Sequence, residues 1–144
     1  MAVAALKQAE YDPKREILDK LGDLSHVEIA QNEVLLAIYQ RPEKTAGGII
    51  LTAKTRKEDV YQGKVGLVVK IGTACVFKRE DPYSGVKFDL PVALHDWVVV
   101  RPSDTWALDI NGDADGLQFE DFVPCRLIRD AHIRMRVANP EVIW

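Results

Sequence analysis

The chain has 144 residues, a formal net charge of -3 and a charged fraction of 28%. That length fits one domain with short appendages and excludes an enzyme that carries its own cofactor domain. The slightly acidic balance, with no basic arm or stripe, excludes nucleic-acid backbone binding as the main task, while an apolar fraction of 47% is ample for a packed core.

The first 25 residues read as a helical extension. Asp12 and Pro13 supply an N-cap and a first-turn proline, Ile17, Leu18 and Leu21 fall on one face, and Gly22 stops the helix. Val34 to Tyr39 is a short apolar run rich in strand formers, closed by Arg41 and Pro42, so a strand is expected. Lys64 to Ile71, Trp97 to Arg101 and Phe122 to Ile128 read the same way, and His132 to Val137 alternates polar with apolar as a half-buried strand does. Five short strands predict a small all-β barrel. Trp97, Trp106, Phe119 and Phe122 lie in strand-like segments and are expected in its core.

Between the first two strands, residues 42–60 form a mostly polar stretch that should be a long, mobile loop. Its centre is not polar. Gly47 and Gly48 are followed by Ile49, Ile50 and Leu51, three large aliphatics beside the most permissive residues of the chain. Two readings account for this: a further buried strand behind a glycine turn, or a docking motif whose aliphatics order only in a groove of a partner.

These residues resemble a known family, the small co-chaperonins of the GroES type. Glu43 to Thr52 is similar to the family's mobile loop, with its Gly-Gly-Ile-Val-Leu segment, and Gln62 to Gly72 is similar to the strand that follows. The stretch from His26 to Thr45 has, with no gap, the right length for the first strand of that family, with Asn32, Glu33 and Val34 where Asp-Arg-Val is usual. Leu94 to Val100 stands where the family has a Val-Gly-Asp turn into an apolar strand, and here the glycine is missing. Asp130 to Val137 matches the closing strand, which in family rings pairs with the neighbouring subunit.

The resemblance implies a GroES-like β-barrel over residues 26–137, preceded by the extension 1–25 and followed by a tail, 138–144. It implies a homo-oligomer, a heptamer, that caps a large chaperonin ring and encloses unfolded client proteins. ATP would be bound by the ring. Gly47, Gly48, Ile49, Ile50 and Leu51 would dock, and the turn at Asp81, Pro82, Tyr83, Ser84 and Gly85 would be the roof loop that closes the dome. The extension and the tail ending in Trp144 have no counterpart in ordinary members and point to a divergent relative, of the kind that phages carry. The rival reading is a structural protein, the same barrel used in a viral capsid or other particle.

Other chemistry is thin in the sequence. Asp109 to Glu120 places oxygens at several positions of a calcium loop, but position 6, which needs glycine, holds Ala114, so an acidic hairpin turning at Asn111-Gly112 or Asp115-Gly116 is expected instead. His26, His95 and His132 sit in no metal or nucleophile motif, and neither Ser84 nor Ser103 lies in a nucleophile elbow. Gly63 and Lys64 lack the glycine-rich run of a phosphate cradle. Cys75 and Cys125 form no C-x-x-C pair. The expectation is a cytoplasmic protein that is not an enzyme, needs no metal or cofactor, and binds neither nucleic acid nor membrane.

Overall fold

A computed structural model describes residues 12–40, 63–75, 78–80, 83–85, 87–89, 91–111 and 122–143. The helix predicted in the extension, α1, is Pro13–Leu21. Asp12 caps it by accepting from the backbone N–H of Lys14 and Arg15 at 3.1 and 3.3 Å, and Gly22 ends it at φ 74°, a left-handed geometry that glycine adopts without strain. Leu21 is fully buried, and Ile17 and Leu18 pack against the same cluster, as the spacing requires.

The strands are β1 (Glu33–Ile38), β2 (Val65–Ile71), β3 (Lys78–Glu80), β4 (Lys87–Asp89), β5 (Trp97–Val99), β6 (Trp106–Ile110), β7 (Val123–Arg129) and β8 (Met135–Val137). Six of them form one antiparallel sheet in the order β6-β7-β1-β2-β5-β8, and β3 and β4 form a separate hairpin. The described part of the chain is thus a small all-β domain with one short helix.

The central strand β1 is apolar from Val34 to Ile38 because both faces of the sheet are covered. Leu35 and Ala37 join Val65, Leu67, Val69, Trp97, Val123, Cys125 and Leu21 in one cluster, while Val34 and Leu36 join Val68, Val98, Val100, Ile128 and Ile133 in the other. A bulge shifts the β1–β2 register: Leu35 opposes Lys70 but Leu36 opposes Val68. Val69 is the extra residue. It therefore stays with Val65 and Leu67 on the first face, whereas Ile71, two residues on, packs on the second.

The first cluster draws side chains from every strand of the six, including Leu108 and Ile110 of β6 and Val137 of β8. Arg134, just before β8, also reaches Asp104, just before β6, at 3.6 Å. Laid flat, those two strands would lie about 24 Å apart at about 4.8 Å per step. The margins of the sheet therefore curl toward each other.

Two expectations need correction. Trp106 is not in the core: it is 70% exposed, because β6 is an edge strand and its first residue lies beyond the cover that shelters Leu108 and Ile110. The final strand is shorter than the run from His132 to Val137, since Asp130–His132 form a 3-10 turn and only Met135–Val137 pair, with β5. Of the other aromatics, Trp97 is buried and Phe122 is half-buried, while Phe119 lies outside the described residues. The tail folds back on its own chain as far as Ile143: Pro140 is buried and Ile143 packs on the first cluster. Among the described residues, no helix is long and apolar enough to cross a membrane.

Candidate functional site

Gly47, Gly48, Ile49, Ile50 and Leu51 lie outside the described residues, as do the rest of 41–62. What the structure places is the root of that segment. β1 and β2 are directly paired neighbours, and their ladder continues past Ile38, with the N–H of Tyr39 donating to the carbonyl of Val65 at 3.0 Å. The chain leaves and re-enters the sheet at one point.

That point is firmly held. Ile38, Tyr39 and Val65 are buried, and the Tyr39 ring meets Trp97 edge to face, with ring centroids 5.5 Å apart and planes at 79°. On the neighbouring strand, the N–H of Val100 donates to the carbonyl of Lys64 at 2.8 Å, which fixes the re-entry from the other side.

Of the predicted roof loop, Tyr83, Ser84 and Gly85 are described, and Asp81 and Pro82 are not. Tyr83 is 97% exposed and Gly85 holds φ 70°, so the glycine serves the turn between β3 and β4.

The turn into β5 carries the one positive φ of a non-glycine residue among those described, His95 at 70°. The N–H of Asp96 donates to the carbonyl of Ala93 at 3.3 Å and the Asp96 carboxylate accepts from the N–H of Ala93 at 2.9 Å. With a positive φ at its third residue, this turn has the geometry that usually calls for glycine. Across β1 and β7, Glu33 and Arg129 are register partners, 3.9 Å apart between Oε1 and Nε, a charge pair with the acid on β1.

Sequence reasoning missed Arg126. It is only 5% exposed on β7, and its Nη1 donates to Thr105 Oγ1 at 2.7 Å and to the carbonyl of Pro102 at 3.4 Å. Burial pushes its guanidinium below the usual value. A lone arginine at alternating register inside an apolar strand was the available signal. Its bonds tie the connection between β5 and β6 to β7, which is a structural task.

The thiols are shielded. Burial, with the Asp109 carboxylate as a lesser contributor, pushes Cys125 up to about 12, and burial followed by the charge of Asp130 also raises Cys75, whose Sγ donates to the carbonyl of Glu33 at 3.3 Å. Asp23 is held below the ordinary carboxylate range chiefly by the N–H of Ser25, at 2.9 Å, in the bend that follows α1. Among the described residues no group of three or more His, Cys, Asp or Glu side chains could hold a metal ion. Of the acidic segment 109–120, only residues 109–111 are described, Asp109 and Ile110 in β6 and Asn111 just after it. Set against known proteins, the chain matches no family model and no curated protein.

Proposed function

We propose that the chain is a co-chaperonin of the GroES type, a cytoplasmic ring-shaped lid that docks on a large chaperonin and encloses folding substrates. The observation that carries this reading is the stem at Tyr39 and Val65: two strands in direct register, yet joined by residues 40–64, whose middle holds Gly-Gly-Ile-Ile-Leu at 47–51. Neighbouring antiparallel strands need only two to five residues to connect, and a connection several times longer has a use beyond connecting.

Three further features support it. The curl of the sheet, with all six strands feeding one cluster, suits a small barrel. The separate β3–β4 hairpin with its exposed Tyr83 suits a roof. The left-handed His95 occupies the place of the family's turn glycine.

The mode of action follows from the size of the contact. Burying two isoleucines and a leucine yields about 5 to 8 kcal/mol gross, at about 1.5 to 3 kcal/mol per side chain. Ordering a loop costs about 1 to 2 kcal/mol per residue, so one segment alone binds feebly. In a closed homo-oligomer each further segment docks at high effective concentration, and feeble contacts sum to a firm cap. Small changes in the partner's grooves, driven by its own ATP cycle, are then repeated at every site and release the lid.

The test is Ile50→Asp. The variant is expected to keep the circular dichroism and the oligomeric state of the parent and to lose co-sedimentation with a large chaperonin ring in the presence of nucleotide. A variant that still co-sediments refutes docking through this motif. Electron microscopy of the parent mixed with chaperonin and nucleotide should show a capped ring, and bare rings throughout would refute the lid.

A further inference from the structure

We draw no further inference here: the strongest candidate, the apolar margin formed by the exposed Trp106 on edge strand β6 and Met135 on edge strand β8, carries nothing because no feature among the described residues shows what covers it.

Discussion

The N–H of His95 donates to the carbonyl of Val68 at 2.7 Å while His95 itself holds φ 70°. The bond locks the turn before β5 against β2, and the N–H of Val68 completes the link by donating to the carbonyl of Asp96 at 2.9 Å. A side chain with a Cβ is strained in this region of backbone space, and histidine tolerates it better than most.

His95→Gly is therefore expected to stabilise the protein by about 0.5 to 1 kcal/mol, relief of strain outweighing the added freedom of the unfolded chain. His95→Val should destabilise it by more than about 1 kcal/mol. Urea unfolding of the three proteins checks the order. A glycine variant less stable than the parent would show that the imidazole contributes more than the backbone costs.

Gly72→Ala is expected to be among the most damaging single-methyl additions. A Cβ there would lie 2.4 Å from the carbonyl oxygen of Ala30, 2.6 Å from that of Gln31 and 2.9 Å from that of Glu33, all backbone atoms held by their own hydrogen bonds. At Gly66 the nearest obstacle is the Leu36 side chain, at 2.9 Å. Losses of about 3 kcal/mol for Gly72→Ala and less for Gly66→Ala follow from the cost of overpacking, measurable by chemical denaturation.

Leu36 is fully buried between the sheet and its second cover, whereas Leu94 is half exposed in the His95 turn. Leu36→Ala should cost about 2 to 5 kcal/mol, and Leu94→Ala less than about 0.5 kcal/mol. Equal losses would contradict the assignment of both faces of β1 to the core.

The Cys125 thiol gives the fold an alkaline limit. Its pKa is raised on folding from 9.0 to about 12, so between those values the unfolded chain has released a proton that the native state retains. Stability from this group is complete below about pH 9 and falls as pH rises toward 12. In thermal melts, the advantage of the parent over Cys125→Ala should shrink between pH 8 and pH 11, and a constant difference would contradict a buried, protonated thiol. A thiol reagent on the native protein should modify the half-buried Cys75 before Cys125.

The Glu33–Arg129 pair spans β1 and β7 with Arg129 largely in solvent, so its worth is below about 1 kcal/mol. Glu33→Arg should cost more than Glu33→Ala through repulsion of Arg129, and the exchange Glu33→Arg with Arg129→Glu should recover most of the difference. Failure of the exchange to recover stability would show that the pair does not interact.

The elements that could be read from the chain were those governed by near neighbours. The cap at Asp12, Pro13 and the stop at Gly22 define α1 because capping bonds span three or four residues. The run from Val34 to Ile38 reads as a strand because its β-formers and the proline at 42 act locally, and the same holds for Val65 to Ile71 and Trp97 to Val99. The Gly-Gly-Ile-Ile-Leu segment is a sequence feature and was legible as one.

Exposure and pairing were decided elsewhere. Trp106 looks like a core residue until β6 takes the edge of the sheet, and edge or centre is set by which strands pair across long separations, such as β1 with both β2 and β7. The bulge at Val69, the left-handed His95 and the burial of Arg126 against Thr105 likewise depend on residues far apart in the chain. Composition and spacing fix what each segment can become, because capping and strand propensity are local forces. Only packing of distant segments fixes which face is buried, because burial free energy belongs to the pair of surfaces and not to either one alone.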